Sequence, residues 1–128
     1  IINILAVHFC FQPEPGIAFV SASPERLYKR VSGYVQSEAM AGTRPRGHSE
    51  ASDAALGEDL LHDDKELREH RFVVDSVRQA FESLCREVRG HGGVSLVRLR
   101  ECQHLTCSFE GILAERVPEP QGAWKALF

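Results

Sequence analysis

The chain has 128 residues, 43% of them hydrophobic and 26% charged, and a formal net charge of −3. That size and mix suit one soluble domain with its own hydrophobic core. The weak negative charge gives no bulk attraction to nucleic acid or an anionic membrane, and no apolar run approaches the ~20 residues that span a bilayer. Cys10, Cys85, Cys102 and Cys107 form no Cys-x-x-Cys pair. They read as reduced, mostly buried thiols of a cytoplasmic protein rather than a disulfide framework.

Residues 3–12 are rich in β-branched and aromatic side chains and predict a strand, followed by a turn at Pro13-Glu-Pro-Gly16 and a second strand over Ile17 to Ala22. Arg26 to Val31 and Tyr34 to Met40 flank Ser32-Gly33, a hairpin signal. Ala41 to Gly47, dense in Gly, Pro and Arg, predicts a loop. Ser52-Asp53 is expected to cap a helix running to about Leu61, and Asp63-Asp64 to open a longer helix ending at Gly90. Val94 to Leu99 and Leu105 to Leu113 predict two more strands, with a loop at Pro118 and Pro120. The order of strands, helices and strands predicts an α+β fold. Residues 122–128 read as the first turns of an uncapped amphipathic helix, and Ile1 enters a strand directly. The expectation is a single partial domain over 1–128, cut from something larger.

On a helical wheel of about 100° per residue, Val73, Val77, Ala80, Leu84 and Val88 fall on one stripe. Extended back, that stripe takes in Glu66 and Glu69 at its edge. Two like charges facing a core are costly unless protonated, paired or bound to a cation. Mg²⁺ suits a small all-oxygen site that keeps water and a substrate carboxylate. Two plainer readings remain open: Asp63 and Glu66 have capping-box spacing, and Lys65 or Arg68 could neutralise the acids. His70, beside Glu69, falls near the same stripe and can simply face the core.

Three further segments carry chemistry-bearing residues. Glu25 follows Ser21-Ala-Ser-Pro directly after a strand, where Pro24 stiffens the backbone and can hold a carboxylate for acid–base work, or leave it as a surface acid. In Ala41-Gly-Thr-Arg-Pro-Arg-Gly47, Gly42 permits close backbone approach to a ligand, and Arg44 or Arg46 could clamp a carboxylate. The alternative is a solvated basic loop. His104 stands just before an alternating strand and is either a pocket residue or a packed one.

Taken in order and spacing, Ser23-Pro-Glu-Arg-Leu27, Ala41-Gly-Thr-Arg-Pro-Arg-Gly47, Lys65-Glu-Leu-Arg-Glu-His70 and Gln103-His-Leu105 resemble the chorismate-binding enzyme family, which includes anthranilate, aminodeoxychorismate, salicylate and isochorismate synthases. The resemblance implies Mg²⁺-dependent chemistry on chorismate. Glu25 matches the general acid that protonates the departing C4 hydroxyl, and Glu69 matches a direct Mg²⁺ ligand, with Glu66 its neighbour in the metal shell. Gly42 and Thr43 match positions whose backbone holds a substrate carboxylate, and His104 matches a histidine lining the pocket. Aminating members carry Val-Asp-Leu-x-Arg-Asn-Asp after the Glu-His pair. Here Val74-Asp75-Ser-Val-Arg-Gln-Ala80 departs from it, so the chain is more similar to isochorismate synthases of the menaquinone or siderophore type. Salicylate synthases stay close, because they make isochorismate first. The family's water-activating lysine and its C-terminal metal-binding glutamate have no match within 1–128, so the resemblance implies half a site and no activity from this stretch alone. A reading of another class, a non-catalytic relic that kept the fold, predicts no Mg²⁺-dependent chorismate binding.

Overall fold

The computed structural model describes residues 7–23 and 26–115. Among them the fold is α+β, as the element order predicts. The first strand, β1 (Val7–Glu14), pairs antiparallel with β2 (Ile17–Ser23) around a turn at Gly16, whose φ of 85° is natural for glycine. Cys10 is exposed on this hairpin, unlike the expected buried thiol, while Cys85 and Cys102 are half-buried and Cys107 is buried; all four are free. The second hairpin turns at Ser32-Gly33 as predicted, joining β3 (Lys29–Val31) to β4 (Tyr34–Pro45).

Two helices follow. The first, α1 (Glu50–His62), is capped three residues before the expected Ser52. Ser49 is the N-cap, and Ser52 completes a reciprocal capping box with it. Asp53 is therefore inside the helix, where its carboxylate reaches back to Arg46 and Gly47. The second, α2 (Asp64–Leu84), opens as expected on Asp63, whose Oδ1 accepts from the amides of Lys65 and Glu66 at 2.9 and 3.1 Å.

α2 ends at Leu84, not at Gly90. Cys85–His91 forms a strand, β5, and the Cys85 amide caps the helix by donating to Phe81 O. The helical stripe expected to include Val88 stops short of it, and Val88 is 39% exposed in the strand. The reason is long-range. β7 (Cys102–Leu113) carries β5 along one half of its edge and β6 (Ser95–Arg98) along the other. A paired strand satisfies backbone groups that a further helical turn would satisfy only locally. Gly111 makes room for this, since a Cβ there would lie 2.6 Å from Cys85 Sγ.

The resulting sheet runs β3-β4-β7-β5, with β6 also on β7, all antiparallel. Alternation along β4 buries Val35, Ser37 and Ala39, and along β7 it buries Gln103, Leu105, Cys107, Phe109 and Leu113. Against that face α2 lays Val74, Phe81 and Ala80, with Val73, Val77 and Leu84 partly buried beside them. Phe81 and Phe109 meet at 5.6 Å between ring centroids. His70 is core-facing, 1% exposed, with Nε2 3.1 Å from Ala39 O.

Candidate active site

The glycine-arginine segment is not a free loop. β4 continues through it to Pro45, paired with β7 down to Cys102, with one register shift between Ala41 and Thr43. Gly42 is the extra residue of that bulge and has φ of 78°. Its missing side chain is used at once. A Cβ at Gly42 would lie 3.1 Å from Glu66 Oε2 and 3.2 Å from Leu105 Cδ1. The glycine brings the start of α2 down onto the strand.

Both arginines of the segment are engaged by the protein's own acids. Arg44 donates from Nε to Asp59 Oδ2 at 2.9 Å and from Nη2 to Asp63 Oδ2 at 2.7 Å. Its Nη1 lies 3.6 Å from Glu66 Oε1. Arg46 forms a two-pronged pair with Asp53, both bonds 2.7 Å, and also donates to Leu99 O. Neither is the free carboxylate clamp that the sequence allows. They fasten α1 and the α1–α2 junction to the end of β4. Arg46, and then the Gly47 amide, hold the Asp53 carboxyl down at about 2. The Asp63 carboxyl is lowered by the Glu66 amide first, and by Arg44.

Of the two acids expected on the inward stripe, the structure turns one inward. The Glu66 side chain is 17% exposed. Glu69 is 59% exposed and sits 3.5 Å from Lys65 Nζ, one turn back on the helix. The reason is helix geometry: His70 takes the inward position, and Glu69, about 100° away on the wheel, falls outside the core face. Glu25 lies outside the described residues.

Thr43 and His104 are brought together as cross-strand partners, with Thr43 Oγ1 2.9 Å from His104 Nδ1. The Gly42 carbonyl is 3.3 Å from the same nitrogen, and Cys102 Sγ is 3.2 Å from Nε2. A neutral ring protonated on Nδ1 satisfies all three contacts, donating to Gly42 and Thr43 and accepting from the thiol. Strand alternation puts this pair on the other face of the ladder from Leu105, which together with Glu66 crowds the bare Cα of Gly42. Gly42 links the two groups, its carbonyl toward His104 and its bare Cα toward Glu66.

Do these residues suit a divalent cation? The donor type suits Mg²⁺: Glu66 and Glu69 are carboxylates three residues apart on α2, one turned inward and one exposed, with contacts to cationic groups of 3.6 and 3.5 Å. The neighbouring Asp53, Asp59 and Asp63 are held at 2.7–2.9 Å by arginines. Glu66 and Glu69 thus keep lone pairs to give. Among the described residues no group of three His, Cys, Asp or Glu side chains is clustered to hold a metal, so further donors would come from substrate, water or other parts of a longer protein.

The family profile described as Chorismate binding enzyme matches residues 5–121. The chain belongs to the chorismate-binding enzyme family. Isochorismate synthase MenF of Bacillus subtilis (strain 168) is 43% identical over 102 residues, 80% of this chain and 22% of that protein. Anthranilate synthase component 1 1 of Haloarcula marismortui is 39% identical over 105 residues, covering 79% of this chain and 21% of the relative. The solved structure of MenF, the menaquinone-specific isochorismate synthase of Escherichia coli, superposes with a TM-score of 0.76 at 30% identity, over 90% of this chain and 27% of that one. The chain thus spans about a fifth of the length of these curated relatives.

Sequence reasoning missed Gln103 as a working residue. It is fully buried, and its Nε2 donates to Pro45 O and Asp53 O at 3.3 Å each, pinning α1 to the end of β4. An amide on the buried register of an alternating strand is the signal that could have found it.

Proposed function

We propose that the protein to which this chain belongs is an isochorismate synthase, moving a hydroxyl from C4 to C2 of chorismate. Water adds at C2, the ring double bond shifts, and the C4 hydroxyl leaves as water. The observation that carries the reading is the inward carboxylate of Glu66, seated on the Gly42 bulge, in a member of this family. Similarity to isochorismate synthases supports the water-adding branch, as does the absence of an aminating pattern in Val74–Ala80.

Each residue has a role in this reading. Glu25 donates the proton to the departing hydroxyl. Glu69 and Glu66 hold Mg²⁺, which when bound supplies positive charge to fix the substrate's carboxylate. Gly42 and Thr43 offer backbone to the second carboxylate, and His104 fixes that stretch of strand through its contacts with both. The base that activates water lies outside 1–128. We take the setting to be the cytoplasm.

The test is a Glu25→Gln variant of the full-length protein. Turnover should vanish while chorismate binding persists. Normal turnover would rule out the proton donor. Relatives in the aminating branch favour a second reading, in which ammonia replaces water. Anthranilate appearing only on addition of ammonium would establish it.

A further inference from the structure

We infer that Arg44 is a positioning residue that presets Glu66 for a divalent cation by tying the start of α2 to the Gly42 bulge. The inference rests on the metal-site reading above. Arg44 reaches Glu66 by two routes. Directly, Nη1 lies 3.6 Å from Glu66 Oε1. Indirectly, Nη2 donates to Asp63 Oδ2, and Asp63 Oδ1 accepts from the Glu66 amide. One guanidinium therefore fixes both the backbone start and the carboxylate of the same residue. Nη1 also donates to Thr43 O, so the anchor is built into the strand next to the bulge.

The contacts are graded in a way that suits this role. Asp59 and Asp63 are hydrogen-bonded to Arg44, whereas Glu66 is held at ion-pair range only. Its carboxylate is oriented without its lone pairs being consumed. A planar fork can divide itself among three carboxylates, which a lysine ammonium on a flexible stem cannot do with fixed geometry. Outer partners of metal ligands act in this manner, and their loss typically weakens metal binding about 10- to 100-fold. Arg46 provides an internal comparison. It is a similarly engaged arginine two residues on, paired with Asp53, with Leu99 O as its further acceptor.

The experiment uses full-length protein, with Mn²⁺ as the probe and free Mn²⁺ read by electron paramagnetic resonance. Arg44→Met and Arg46→Met should both lower the melting temperature. Only Arg44→Met should weaken Mn²⁺ binding, by about tenfold or more, and Arg44→Lys should restore part of it. If Arg44→Met does not fold, Asp59→Asn removes one anchor and should give a smaller loss in the same direction. Equal Mn²⁺ affinity in wild type and the Arg44 variants, or equal losses in the Arg44 and Arg46 variants, would overturn the inference. A wild-type protein that binds no Mn²⁺ overturns the metal-site reading itself and the inference with it.

Discussion

Glu66 rests on Gly42: the carboxylate Oε2 would be 3.1 Å from a Cβ at that position, and the glycine's φ of 78° already disfavours any other residue. Gly42→Ala therefore meets two penalties. The left-handed backbone costs about 1–2 kcal/mol for an L-residue. The new methyl must also displace either Glu66 or Leu105. In the full-length protein we expect a lower melting temperature together with a weaker response to Mg²⁺. A variant that melts like wild type would show that the bulge relaxes without cost.

The two helical acids should separate in their effects. Glu66→Gln removes a charge held near Arg44 and should disturb both the fold and Mg²⁺ binding. Glu69→Gln alters an exposed side chain, so stability should hold while Mg²⁺ binding weakens by at least about tenfold, at the low end of what even an outer partner costs. Calorimetric titration with Mg²⁺, paired with thermal melts, reads both. Unchanged Mg²⁺ affinity in Glu69→Gln would remove it from the metal site.

Asp53 makes acid stability predictable in sign. Arg46 and the Gly47 amide lower its carboxyl from 3.8 to about 2 in the folded chain. A group depressed on folding stabilises above its unfolded value and loses that contribution as pH falls through the folded one. The Asp53 contribution should be complete above 3.8 and disappear as pH approaches about 2. Asp53→Asn should melt lower at neutral pH and lose less on acidification. Parallel pH–melting curves for variant and wild type would contradict this.

The core has a clear weak point in the Phe81–Phe109 pair, where α2 meets β7 with both rings buried. Phe81→Ala should cost about 3–5 kcal/mol, as a large-to-small change in a packed core does. Chemical denaturation of the full-length protein measures it, and a cost below that of a surface substitution would mean the pair is not packed as described.

Local signals read well where a single segment decides its own structure. Ser32-Gly33 specifies its hairpin, and Asp63 its helix start, because turn and cap chemistry act over a few residues. They read poorly where distant segments compete. Val88 continues the helical spacing of Leu84, and only pairing with β7 makes Cys85–His91 a strand. The Gly, Pro and Arg of 41–47 look like a loop until β7 zips past them around one bulge. At the site, an inward Glu66 was legible from periodicity. The engagement of Arg44 with Asp59 and Asp63 was not, since those pairs join residues 15 and 19 positions apart. The joining of Thr43 to His104, 61 residues apart, depends likewise on strand register.

The central claim is Mg²⁺-dependent hydroxyl transfer on chorismate. The most direct measurement follows chorismate by proton NMR with the full-length protein, before and after adding Mg²⁺, without ammonium. The account predicts no change until Mg²⁺ is added and then an equilibrium mixture of chorismate and isochorismate. Chorismate that persists unchanged with Mg²⁺ present, or that yields an aminated product only once ammonium is supplied, would contradict it.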